Sequence, residues 1–436
     1  MNRLPPEILS RIIRRVPHEQ ETDTRSIVML THVCRYWREF IVSTPWNWTL
    51  ISSSRGMDLA ALSLQRAKAA PLEICLNMGE VRETPGFCDL INPSIQNAKT
   101  LHFSGLITFE ELTQTLPNSQ SMPNLQSLTL TGSRYDRRNS PTDPFEQLPP
   151  TLRHLKLCYL PLFPSFLRLK ALTELTLDNN YFNLHLDTLL DFLEENRSLE
   201  NVTLNIEFTK RSRRHPRRGA ATMDRLQHLS MPFHSREDVK ALISNIVLRR
   251  GVHLEIDSIY FRTKLDEVLS GIPTTHLSNL QSPVFMEYRS HWGDVRLFGP
   301  NGSLSFRTAH APHTPFVEFP LLPLTDIREF HLIHIQSSWK PPLELEALVF
   351  DPSLFPALET FAINCETSIS HLLSTLFSNP SFPPALKTLA FLDCNLSEDF
   401  MEALTGFASN RKITASAPSC IALSSSVRKE TSRVSL

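Results

Sequence analysis

The sequence predicts an α/β fold: three short N-terminal helices, then a solenoid of strands and helices whose parallel sheet lines a concave face. Three observations predict it. An apolar triplet, spaced as apolar, two residues, apolar, one residue, apolar, returns in steps of 27 or 28 residues, as from Ala98 to Leu125 to Leu152 and from Leu172 to Leu199 to Leu226. The first residues instead space their apolar side chains three and four apart, as a helix does. And 436 residues exceed what one ordinary core holds, so two domains or an elongated array is expected.

The N-terminal helices come first. Pro5 and Pro6 suit a first helical turn, where a missing N–H costs nothing, and Ile8, Leu9, Ile12, Ile13 and Val16 follow at helical spacing up to Pro17. Thr24 can cap a second helix carrying Ile27, Met29, Leu30 and Val33; Trp37, Phe40 and Ile41 continue the pattern to Pro45. A unit this small buries too little apolar surface to stand alone, so its Leu, Ile and Trp faces call for a covering partner or for the rest of the chain. The segments Leu4-Pro5-Pro6-Glu7-Ile8-Leu9, Val33-Cys34-Arg35-Tyr36-Trp37-Arg38 and Ser43-Thr44-Pro45-Trp46-Asn47-Trp48 resemble the F-box of fungal F-box proteins. The resemblance covers residues 1–50. It implies docking on the small adaptor subunit of a cullin-RING ubiquitin ligase, through Leu4, Pro5, Ile8, Ile12, Val33 and Trp37.

After a linker and first capping repeat over 51–85, the array is expected over 86–410. Its triplets are Ala98-Leu101-Phe103, Leu125-Leu128-Leu130, Leu152-Leu155-Leu157, Leu172-Leu175-Leu177, Leu199-Val202-Leu204, Leu226-Leu229-Met231, Ile327-Phe330-Leu332, Leu358-Phe361-Ile363 and Leu386-Leu389-Phe391. The last two positions of each lie two apart, so on a strand both point inward. Between residues 251 and 306 the signal thins to Leu254-Ile256, Leu277-Leu280 and Leu304-Phe306. The pattern resembles degenerate leucine-rich repeats. Return helices are expected at Val239, Leu242, Ile243, Ile246 and Val247, capped by Ser235 and closed by Gly251, at Ile369 to Phe377, and at Phe400 to Ala408. Residues 133–150, 207–221 and 308–323 break the period and read as surface loops, and the serine-rich tail 411–436 as disordered.

Composition narrows the function. Lys+Arg 44 against Asp+Glu 45 leaves a net charge of −1, which argues against nucleic acid or an anionic membrane recognised by bulk charge. The seven cysteines are scattered without a C-x-x-C pair and read as buried reduced thiols. No secretory segment and no apolar run of spanning length occurs, so an intracellular chain, cytoplasmic or nuclear, is expected. The basic run Lys210 to Arg218 reads as a solvated insertion or an import signal. No phosphate-cradling glycine motif, nucleophile elbow or three-ligand metal spacing is present, so neither catalysis, a cofactor nor a metal is expected. The remaining site is the outward face of the strands, where His154, Lys156, Glu174, Thr176, Asp178, Asn201, Thr203, Asn205 and His228 are candidates for gripping a target protein, joined by Glu329, His331, Thr360 and Asn364. The resemblance to F-box proteins implies a substrate-recognition adaptor of an SCF-type ligase; the alternative is an interaction scaffold without ubiquitin transfer.

Overall fold

The chain was analysed as a computed structural model, which describes residues 4–15, 24–77, 84–105, 122–132, 148–160, 164–180, 185–206, 220–232, 235–258, 265–289, 294–308, 324–334, 354–365, 385–392 and 432–435. It divides into two compact units, Met1–Leu184 with Glu195–Leu199, and His185–Glu194 with Glu200–Leu436. That division falls inside the repeats rather than at residue 50 or 85.

In the first unit α1 (Pro6–Arg15), α2 (Thr24–Leu30) and α3 (Arg35–Ser43) lead into β1 (Leu50–Ser52), α4 (Met57–Ala67), β2 (Leu72–Asn77) and α5 (Thr84–Ile91). The strands β3 (Ala98–Ser104), β4 (Ser127–Thr131), β5 (His154–Cys158) and β6 (Glu174–Asn180) complete it. The six strands lie side by side in chain order and pair in parallel. Register places Ile74, Leu101, Leu128, Leu155 and Leu175 in one apolar row, and Leu76, Phe103, Leu130, Leu157 and Leu177 in the next. All ten are buried. A backbone turn sets the first triplet position: the amides of Leu125 and Leu152 donate to the carbonyls three residues back, on Met122 and Pro149. The following amides, of Gln126 and Arg153, reach Lys99 and Gln126 on the preceding coil. Each coil is thus stitched to the last before its strand begins.

The second unit contains β7 (Asn201–Ile206), β8 (Ala221–Thr222), β9 (His228–Pro232), β10 (Ile246–Val247), β11 (His253–Ser258), β12 (Phe285–Arg289), β13 (Asp294–Gly299), β14 (Gly302–Thr308), β15 (Glu329–His334), β16 (Thr360–Cys365), β17 (Thr388–Leu392) and β18 (Ser432–Ser435). Here the spatial order is β7-β9-β11-β14-β13-β12-β15-β16-β17-β18. The stretch where the triplet thins is therefore an antiparallel meander of β12, β13 and β14, entered in reverse and bounded by parallel pairs with β11 and β15. Of the three faint signals there, Leu254-Ile256 and Leu304-Phe306 lie on strands, whereas Leu277 makes an isolated parallel bridge to Leu248 and Leu280 ends a short 3-10 helix. The meander keeps both apolar rows, because a side-chain period of two does not depend on strand direction. Leu254, Leu304, Leu297, Met286 and Phe330 form one row, and Ile256, Phe306, Val295, Tyr288 and Leu332 the other. Phe330 stacks on Phe361 with ring centroids 5.3 Å apart.

Two expectations need correction. The helix capped by Ser235 spans Arg236–Ile243 and does not run to Gly251. Asn245 folds its side-chain amide back onto the Ala241 carbonyl at 2.7 Å, and the β-branched Ile246 and Val247 pair with Ala221 and Thr222 as a two-strand ladder instead. Residues 432–435 of the tail, expected to lack structure, pair antiparallel with β17. The helices expected at Ile369 to Phe377 and Phe400 to Ala408, and the run Lys210 to Arg218, lie outside the described residues, as do nearly all of the three expected loops.

Candidate interaction sites

Helix α1 presents two apolar stripes. Leu9 and Ile13, four apart, are buried; Ile8 and Ile12, also four apart, are exposed, together with Leu4. The phenol of Tyr36 donates to the Leu4 carbonyl at 2.9 Å and ties the start of α3 to the start of α1. Between α2 and α3, Arg38 Nε donates to the Thr31 carbonyl at 3.0 Å, which satisfies an end of α2. Val33, in that junction, is 59% exposed and Met29 on α2 is 70% exposed. Of the six sequence-derived contact positions, Leu4, Pro5, Ile8, Ile12 and Val33 are exposed and Trp37 is half-buried.

The other side of the segment is sealed. Trp48 is fully buried; its indole N–H donates to the Ile41 carbonyl at 2.9 Å, and the Arg66 guanidinium on α4 lies 4.2 Å from the ring centroid. Ile27 and Ile41 are also buried, and Trp48 joins the segment to α4.

On the sheet of the first unit, His154 sits opposite Glu174 and Ser127, Lys156 opposite Thr176 and Thr129, and Asp178 opposite Cys158. His154, Lys156 and Glu174 are exposed, Thr176 and Asp178 half-buried. Cys158 is buried, and burial first, with the Asp178 charge second, pushes its thiol above the ordinary range. Cys34, Cys75 and Cys88 are half-buried rather than buried.

In the second unit Asn201 pairs with His228 and Thr203 with Ser230. Asn201 is exposed and Thr203 half-buried. Asn205, expected on the outward face, is buried: it lies two residues past the last position paired with β9, where the ladder no longer decides its surroundings. His228 and His253 face one another with ring centroids 4.9 Å apart, and His253 Nδ1 lies 2.5 Å from the Ser303 hydroxyl. Burial, then the His228 charge, holds the His253 imidazole below its ordinary range. Ser230 donates to Glu255 at 2.9 Å.

The meander supplies side chains that the triplet reading passes over. Arg307 meets Asp257 at 3.3 Å, Arg296 meets Asp294 at 3.1 Å and Glu287 at 3.7 Å, and Arg289 meets Glu287 at 2.7 Å. Phe285 and Phe298 pair at 5.5 Å between centroids, and His331 stands edge-on to Phe285 at 4.9 Å while meeting Glu329 at 2.7 Å. The overlooked signal is Gly299-Pro300-Asn301-Gly302, a two-residue hairpin loop between alternating runs. Gly302 has a φ of +134°, and a Cβ there would lie 2.5 Å from the Val252 carbonyl, so only glycine fits. Among the described residues no group of three or more His, Cys, Asp or Glu side chains is placed to hold a metal ion, and no helix is long and apolar enough to cross a membrane.

Comparison with known proteins bears mainly on the N-terminal segment. Residues 1–53 match a family model described as F-box-like, and no catalytic family is indicated. No curated protein matches the chain. Among solved structures, the leucine-rich repeat-containing protein LegL7 from Legionella pneumophila is 11% identical over 76% of this chain and 97% of its own, with a TM-score of 0.28. A TLR13–ssRNA13 complex is 13% identical over 79% of this chain and 46% of that one, also at 0.28. The repeat architecture rests on the register of its own strands, not on those likenesses. The first 53 residues of this protein are thus similar to the F-box-like family.

Proposed function

We propose that the protein is the substrate-recognition adaptor of an SCF-type cullin-RING ubiquitin ligase. The F-box-like helices dock on the ligase's small adaptor subunit, and the outward faces of the strands hold a target protein. The observation that carries this reading is the outward stripe Leu4, Ile8 and Ile12, with Val33 and Met29, on a segment already anchored through Trp48. Apolar side chains grouped this way on small helices mark an interaction surface. Trp37, half-buried, is the aromatic expected to anchor the contact.

The protein's contribution is proximity. Holding a target on the same assembly as the ubiquitin-charged enzyme turns a bimolecular encounter into an intramolecular one, and no bond-making group is needed from this chain. The test is co-purification of the full chain with the adaptor subunit and the cullin. The wild type should bring both down, and Trp37→Ala should weaken docking by about 2 to 4 kcal/mol. A Trp37→Ala chain that retains the adaptor at wild-type level would remove the assigned contact, and a wild type that retains neither subunit would remove the ligase role.

A further inference from the structure

The outer face of β11, β14, β13, β12 and β15 has a chemistry of its own. Five carboxylates lie on it, Glu255, Asp257, Asp294, Glu287 and Glu329, against three guanidiniums, Arg307, Arg296 and Arg289. Every guanidinium is already engaged, by Asp257, by Asp294 with Glu287, and by Glu287. Two carboxylates are left with partners that carry no fixed charge. Glu255 accepts from the Ser230 hydroxyl and lies 3.9 Å from His228; Glu329 meets His331. Five carboxylates against three guanidiniums leave an excess of two fixed negative charges, one on each bounding strand, with the Phe298 and Phe285 rings on the strands between.

We infer that this face binds an extended basic segment of the target protein, seating one apolar side chain on Phe298 and Phe285 and directing a Lys or Arg to Glu255 and another to Glu329. Phe298 is 39% exposed, so the aromatic seat is open to a visitor. Four strand spacings separate β11 from β15, about 19 Å, with β13 midway. An extended chain crossing the strands advances about 3.3 Å per residue, which puts the two basic residues about six apart with the apolar one near the middle. The excess negative charge selects against acidic segments and nucleic acid, and a basic partner gains from steering as well as contact.

The inference rests on the reading of the repeats as the target-holding region, and its test leaves the adaptor subunit out. A phage-displayed library of random peptides of about twelve residues is selected on the immobilised full chain, and enriched peptides are titrated in solution against the wild type, Phe298→Ser and the double variant Glu255→Gln/Glu329→Gln. Thermal melting confirms that each variant folds. The expected result is enrichment of an aromatic or aliphatic residue flanked by Lys or Arg at about three residues on each side, with affinity falling about tenfold or more in both variants and falling with added salt. Enrichment of acidic or uncharged peptides, or affinity indifferent to both variants, overturns it. So does self-association of the wild type that Phe298→Ser abolishes, which would assign the face to a second copy of this chain. A chain that binds such peptides but not the adaptor removes the ligase role alone; one that binds the adaptor but no such peptide removes this inference alone.

Discussion

Helix α1 and the strands of the first unit distribute their apolar residues in opposite ways. In the repeats of the first unit each triplet is buried throughout, as Leu125, Leu128 and Leu130 are, and the residues between them are polar. In α1 the buried pair Leu9 and Ile13 is matched by the exposed pair Ile8 and Ile12. The repeats are complete in themselves, since each coil covers the next. The helix has one stripe that its own chain covers only in part, and that stripe contributes less to holding the fold than the buried pair.

Substitutions sharpen the contrast, beginning with the largest effect. Leu155→Ala removes a side chain at the centre of an apolar row and should lower unfolding stability by about 2 to 5 kcal/mol, as should Leu9→Ala, while Ile8→Ala should stay within about 0.5 kcal/mol; denaturant titration measures all three. Equal losses for Leu9→Ala and Ile8→Ala would erase the distinction between the stripes. Gly302→Ala forces a side chain into a left-handed turn against the Val252 carbonyl and should cost about 1 to 3 kcal/mol in the same titration. Ser235→Ala removes the hydroxyl that accepts from the Asp238 amide and should cost about 1 kcal/mol, read as a shift in midpoint at constant slope.

The smallest effect concerns pH. The folded imidazole of His253, facing His228, Glu255, Arg296 and the Ser303 hydroxyl, is held below the ordinary value of 6.5, so the unfolded chain binds the proton more readily. The contribution of this group to stability is then full above about 6.5 and is lost as pH falls from there through the lowered folded value. His253→Asn should flatten the stability profile as pH falls below about 6.5, and an unchanged slope there would contradict the assignment.

The repeats were legible because burial imposes a period: Leu128 and Leu130, or Phe361 and Ile363, must both face inward, and the spacing records it. The direction of a strand leaves no such record. Leu297 in the antiparallel β13 and Leu304 in β14 occupy the same row as Leu254 in the parallel β11, so the reversal is invisible to periodicity and shows only in the Gly299 to Gly302 loop. The charged lattice built on the meander went unread for the same reason. On α1 the difficulty is different: positions 8 and 9, and 12 and 13, are all apolar, and which pair the chain itself covers depends on how the helix packs on the rest of the segment.

The exposed stripe is tested most directly by isothermal titration of the purified small adaptor subunit into the full chain, wild type against Ile8→Asp/Ile12→Asp, with melting curves recorded on both. The account predicts one-to-one binding by the wild type, binding weakened at least about 30-fold in the variant, corresponding to 2 kcal/mol or more, and unaltered melting. Wild-type affinity in the variant, or a collapse of its fold in place of its binding, would contradict it.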